Sequence, residues 1–169
     1  MATVPDASLA PMEVRLAAVS PDLREALLRL APRPDQERFA GRLADTLPAA
    51  EADPERTPVA IVADGAPVGF FVLHRGPAAG VLAPEPRDVL LRAFLVDARF
   101  QGRGIATRAL AALPDFVAVH LPGIHRIVLS VNVRNPVAIR TYQRAGFADT
   151  GGLYHGGMSG PQHVFELWL

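Results

Sequence analysis

Cysteine is missing from the 169-residue chain, so no disulfide, thiolate metal site or cysteine nucleophile can form, and the redox compartment leaves no trace in the sequence. Lysine is missing too: all seventeen positive charges are arginine, a bias that reads as GC-rich coding rather than chemistry. No apolar run approaches the ~20 residues of a membrane span. The opening Met-Ala-Thr-Val-Pro-Asp lacks the basic start and apolar core of a signal peptide, so a soluble, cytoplasmic protein without membrane partners is expected. The five histidines show no metal-ligand spacing, and no metal is expected. What is present suits a folded chain. Half the residues are hydrophobic, 20% are charged, and mean hydropathy is +0.20, which with a mass of 18.0 kDa predicts a single domain over 1–169.

The formal net charge is zero, but it is unevenly spread. Residues 97–144 carry Arg99, Arg103, Arg108, Arg126, Arg134, Arg140 and Arg144 against Asp97 and Asp115, whereas residues 1–56 hold ten acids and seven arginines. The middle of the chain therefore favours an anion.

Hydrophobic spacing predicts a strand over 12–19, helices over 21–30 and 34–47, and an exposed loop over 48–58 marked by Pro48, Pro54 and Pro58. Strands over 59–63 and 67–73 flank Asp64-Gly65, a dipeptide that supplies the positive φ of a hairpin. A Pro/Gly/Ala-rich loop follows over 76–86. The run over 89–96 reads as a central strand covered on both faces, interrupted only by Arg92. A helix over 104–120 is expected to break or kink at Pro114, and a strand covers 127–131. Asn135-Pro136 then opens a helix, with Asn as N-cap and Pro where its missing N–H costs nothing. That helix stops at Gly146, and strands over 147–154 and 164–169 close the chain around a Gly-rich loop. This order makes a mixed α/β sheet rather than a barrel or bundle.

The most informative stretch is Leu91 to Leu110. A buried strand passes through Asp97 into Gln101-Gly102-Arg103-Gly104-Ile105-Ala106 and directly into a helix. Such a turn points successive backbone N–H groups at one place, where the helix terminus adds partial positive charge, and it suits a phosphate or pyrophosphate. It is neither a P-loop, lacking the Gly-Lys-Ser/Thr ending, nor a dinucleotide fingerprint, lacking the three-glycine spacing.

Gln101-x-x-Gly104-x-Ala106 after a strand resembles the Gln/Arg-x-x-Gly-x-Gly/Ala motif of the GNAT superfamily of N-acetyltransferases. Downstream, Asn135, Ala138, Tyr142, Gly146 and Phe147 fill every place of a pattern similar to that family's second signature, Asn-x-x-Ala-x-x-x-Tyr-x-x-x-Gly-Phe. The two occur in the family's order. The resemblance covers roughly residues 59–169, while residues 1–58 agree only as a strand and two helices. It implies a GNAT-like α/β fold: a mixed, mostly antiparallel sheet with a splay between two parallel strands, flanked by about four helices. It also implies acetyl-CoA as co-substrate and a primary amine as acceptor. By motif position, the backbone of Phe94, Leu95 and Val96 would meet the pantetheine arm. The backbone of Gln101, Gly102, Arg103, Gly104, Ile105, Ala106 and Thr107 would take the pyrophosphate, with Arg103 and Arg108 adding charge. Asn135 would lie beside the cofactor as well as capping its helix. Tyr142, whose phenol stays protonated at neutral pH, would give its proton to the departing thiolate.

The general base is left open. Ser130 matches the place where relatives that acetylate protein N-termini have a glutamate, and Arg92 a place where some members have a carboxylate; neither can act as a base. Glu166, His155, His163 and a water chain remain. The wording around these motifs is similar to small-molecule and polyamine acetyltransferases, so a small amine is the expected acceptor. A protein N-acetyltransferase and a non-catalytic acyl-CoA-sensing module are the alternatives. Nucleic-acid binding by the arginines of 97–144 is not expected, because aromatic interleaving is absent and net charge is zero. Oligomeric state is open, with a homodimer as the assembly to test.

Overall fold

A computed structural model describes residues 11–169, leaving the first ten residues of the expected 1–169 domain outside the description. Seven strands form one open sheet: β1 (Val14–Ala18), β2 (Arg56–Ala63), β3 (Ala66–His74), β4 (Asp88–Val96), β5 (Arg126–Asn132), β6 (Ala148–Tyr154) and β7 (Gln162–Trp168). Their order across the sheet is β1-β2-β3-β4-β5-β7-β6, antiparallel everywhere except between β4 and β5. The β2–β3 hairpin turns at Asp64 and Gly65, both with positive φ, as the dipeptide predicts.

Six helices cover the two faces: α1 (Pro21–Leu27), α2 (Glu37–Ala40), α3 (Leu43–Glu51), α4 (Ile105–Ala111), α5 (Leu113–His120) and α6 (Pro136–Arg144). The first face buries Leu27, Leu43 and Leu47 from α1 and α3 against Ala60, Val62, Phe70, Val72 and Leu95. The other buries Ile105, Leu110, Leu113, Val117 and Tyr142 against Val59, Phe71, Leu91, Ile127 and Leu129. Side chains alternate along each strand, so β2, β3 and β4 feed both cores at once.

Two expectations about helices need correction. The helix expected over 34–47 is two short ones, because Gly41 at φ +76° breaks the path. The loop expected over 48–58 begins as helix instead: α3 runs through Pro48 to Glu51. Leu43, Leu47 and Ala50 are buried along one side of α3 while Pro48 faces outward, so burial of that stripe outweighs the hydrogen bond proline removes. The helix expected over 104–120 does break near Pro114: α4 and α5 are parted at Ala112, with Pro114 in the first turn of the second. Six helices therefore stand where about four were expected.

Candidate functional site

The parallel pair β4–β5 is in register only where Asp88, Val89 and Leu90 face Arg126, Ile127 and Val128. Beyond that point the strands run on, to Val96 and Asn132, without pairing. A bulge in β4 accompanies the separation. Arg92 lies opposite Val72 and Leu95 opposite Phe70, so Ala93 and Phe94 together face the single residue Phe71. Ala93 takes φ +55°, a left-handed conformation that costs a residue with a Cβ about 1–2 kcal/mol. The strand edge that β5 abandons leaves backbone groups free to meet an extended chain entering the gap.

A cleft of about 810 Å³ opens there. It is lined by every residue that the two motifs single out except Arg103, Gly146 and Phe147. The Arg103 guanidinium instead lies over the Phe100 ring, 5.6 Å from its centroid, and Arg108 is not among the lining residues either.

The loop between β4 and α4 is held from within. Asp97 is buried, and its carboxylate accepts hydrogen bonds from Ala31 N (3.1 Å), Arg99 N (3.0 Å) and Arg99 Nε (2.8 Å). Burial opposes its charge, but the Arg99 guanidinium and the two amides outweigh it, so the carboxyl titrates below its usual range. Gln101 turns inward. Its Nε2 donates to Val96 O at 2.9 Å and to Gln36 Oε1 at 2.7 Å, which ties the loop to the end of β4 and to the segment before α2. Gly104 then caps α4 at φ +73° with no side chain bonded to the helix start. The first-turn N–H groups of Ile105, Ala106 and Thr107 lack partners within a helix, and all three residues line the cleft. A Cβ added at Gly102 or Gly104 would meet nothing within 4 Å beyond its chain neighbours; the space above this turn is left open.

Across the gap, Asn135 Oδ1 accepts from Ala138 N at 3.2 Å, the N-cap that Asn-Pro predicts. Tyr142 is 8% exposed. Its ring meets Phe94 edge-on at 6.1 Å and Phe147 at 5.8 Å, and the residue lines the cleft. Burial pushes the phenol well above its ordinary pKa, so it enters the cleft as a proton donor.

The far side of the cleft opens between β4, α3 and the β6–β7 loop. Ser159 Oγ donates to Arg38 O at 3.1 Å, and Asn132 Nδ2 and Arg134 Nη2 each donate to Ser159 O at 2.7 Å. This pins the Gly-rich loop across the end of the splay, where Met158 and Ser159 become lining residues. The sequence reading missed them, and missed Gln36, Arg38 and Phe39, because their segments reach the cleft only through these long-range bonds.

None of the base candidates with a titratable side chain stands in the cleft. Glu166 is held by Arg126 (Oε2 to Nη1, 3.1 Å), His163 lies beside Asp149 (3.6 Å), and His155 is exposed outside the lining. Ser130 Oγ donates to Gln162 Oε1 at 2.8 Å. Among the described residues, Asp45 is the one carboxylate that lines either half.

The acetyltransferase (GNAT) family model matches residues 20–147. The chain is similar to the uncharacterised N-acetyltransferase YbbJ of Bacillus subtilis, 35% identical over 118 residues that span 69% of this chain and 74% of that one. It is also similar to the spermine/spermidine N(1)-acetyltransferase of the same organism, 33% identical over 142 residues, or 84% of this chain and 92% of that one. In fold it matches an aminoglycoside acetyltransferase solved with coenzyme A, at TM-score 0.74 and 23% identity, over 92% of this chain and 95% of that one.

Proposed function

The chain belongs to the GNAT acetyltransferase family and is an acetyl-CoA-dependent N-acetyltransferase, and we propose that it acetylates the primary amine of a small molecule by direct attack in a ternary complex. The observation that carries this reading is the meeting of three features at one gap: the bulge at Ala93–Phe94, the uncapped start of α4, and the buried phenol of Tyr142. The similarity to a spermine/spermidine acetyltransferase supports a small amine as acceptor.

The backbone amides from Gly102 to Thr107 hold the pyrophosphate of acetyl-CoA at the helix start, where partial positive charge favours an anion. The pantetheine arm enters between the strands and bonds to the free edge of Phe94, Leu95 and Val96, while Asn135 borders it from α6. Both substrates then sit in one cleft, and this positioning accounts for most of the rate. The neutral amine attacks the thioester carbonyl, and a backbone N–H of the bulge steadies the oxygen that becomes negative. The C–N bond forms, the C–S bond breaks, and the amine's surplus proton leaves to water. Tyr142 gives its proton to the sulfur and regains one from solvent. Burial keeps the phenol protonated until the C–S bond breaks, so its proton is available at the sulfur, and reprotonation from solvent removes the charge left on the phenol oxygen.

A panel of amines with acetyl-CoA, read by release of free thiol, tests the reading. The protein has no cysteine, so the readout has no background from its own thiols. Amine-dependent release is expected; tight acetyl-CoA binding without turnover on any amine would leave a sensing module instead.

A further inference from the structure

Arg92 is the only charged residue between Val89 and Val96 in a strand that lies mid-sheet. Among the described residues no carboxylate pairs with it. Its one polar contact is Nη1 to Nδ1 of His74, at 3.3 Å, and since a guanidinium can only donate, that nitrogen accepts and the ring is neutral with its proton on Nε2. His74 is fully buried. It braces Arg92 from behind, while the guanidinium remains accessible from the cleft.

The position of Arg92 gives this charge its meaning. Arg92 and Ala93 line both the part of the cleft beside α4 and the part beside α3, and so stand where the two join. The second part, about 680 Å³, is walled by Thr46, Ser130, Tyr154 and Gln162, with Arg56 as a second cation and Asp45 as its one acid. Arg56 is already paired with Asp53, Nε to Oδ2 at 3.1 Å. Partial burial first and the Arg56 charge second act against the charged form of Arg92, an opposition that an arriving anion relieves. A polycation would meet like charge beside the reacting carbon.

Resting on the acetyltransferase reading above, we propose that Arg92 selects the acceptor: an amine carrying a carboxylate a few bonds from the nitrogen, as in an amino acid, rather than a polyamine. The carboxylate pairs with the guanidinium while the amine reaches the thioester held at Ala93, one residue along. His74 fixes the guanidinium in place, so little side-chain freedom is lost on binding.

The test compares amino acids with their amides, which match in size and differ in the charge, and includes spermidine. Acid over amide in kcat/KM should reach at least about tenfold for the preferred acceptor, as expected for loss of a hydrogen-bonded charge pair. Arg92→Gln should bring that ratio to near one by raising the acceptor KM, with the KM for acetyl-CoA unchanged, and Arg92→Lys should restore part of it. Calorimetry of the preferred amino acid against the wild-type protein saturated with coenzyme A gives a second reading that needs no turnover. Amides or spermidine used as well as acids by the wild type would overturn this proposal and leave the acetyltransferase reading standing. Amino-acid binding that is lost in Arg92→Gln, with no thiol released from any amine, would support the proposal and overturn the catalytic reading. No amino-acid binding and no preference for acids would overturn it outright.

Discussion

The ring of Phe94 stands edge-on to that of Tyr142, centroids 6.1 Å apart and planes at 72°, so the bulged strand and the helix after β5 touch across the mouth of the splay. Phe94 also stacks on Phe71 at 5.6 Å, the single residue opposite the bulge. Conformation at Ala93 and placement of the Tyr142 hydroxyl are thereby coupled.

Replacing Phe94 by leucine keeps the position apolar, with some loss of volume, and removes both aromatic contacts. The expected loss is about 1 kcal/mol of stability, the worth of such pairs beyond their buried area, together with a lower kcat and a nearly unchanged KM for acetyl-CoA. Urea denaturation and steady-state kinetics read the two effects separately. A drop in stability with kcat intact would uncouple the ring from the phenol.

Gly104→Val should weaken acetyl-CoA binding by more than about tenfold, well beyond its cost to the fold. The fold pays about 1–2 kcal/mol for a side chain at φ +73°; nothing in the protein obstructs it, since no atom lies within 4 Å of an added Cβ. Any larger loss in affinity comes from what occupies that space. Unchanged affinity in a folded Gly104→Val protein, measured by calorimetry, would remove the pyrophosphate from this loop.

The stability of the wild type should fall as pH drops below 6.5. Burial, then Arg56 and Arg92, hold the pKa of His74 below its ordinary 6.5. In that window the unfolded chain takes up a proton that the native ring refuses, so the contribution of His74 is complete above 6.5 and declines as pH falls towards the native value. His74→Gln retains an acceptor for Arg92 and should flatten this part of the profile. An identical pH slope in wild type and variant would contradict the buried, neutral ring.

At lower pH a second decline is expected from Asp88, which the Arg126 side chain holds below the usual carboxylate range against the opposing effect of burial. Its stabilising effect is complete above about 4 and is lost as pH falls through the depressed native value. Asp88→Asn should reduce that decline, leaving the part due to Asp97, and cost about 1.5–3 kcal/mol at neutral pH, typical of a hydrogen bond to a charged group. Thermal melts across pH 2–7 for both proteins would show it.

Local signals made much of the site legible. Asn135-Pro136 and Asp64-Gly65 act within a few residues of themselves, and the structure has the cap and the hairpin where the dipeptides stand. Gly104 likewise forces its own backbone. Pro48 misled because its local cost is outweighed by the burial of Leu43 and Leu47, which depends on a sheet formed by distant residues. The Arg92–His74 contact was illegible for a similar reason. It requires knowing that β3 and β4 pair, and that a bulge shifts their register between Val72 and Phe70, and neither fact is written in either segment. Gln101 was read as a motif residue at the cleft; its inward bonds to Val96 and Gln36 emerge only once α2 is in place.

The most direct test of the account is the rate of acetyl transfer in Tyr142→Phe. The substitution keeps the ring and its contacts with Phe94 and Phe147, and removes the hydroxyl and with it the proton. A positioned general acid is worth ~10²–10⁴ in rate, whereas an ordinary hydrogen bond contributes about 0.5–1.5 kcal/mol, at most roughly tenfold. In Tyr142→Phe, kcat is expected to fall by about a hundredfold or more with little change in the KM for acetyl-CoA. If the variant kept more than about a third of the wild-type kcat in a step limited by chemistry, a loss no larger than one ordinary hydrogen bond explains, the proton would come from water and Tyr142 would be a packing residue.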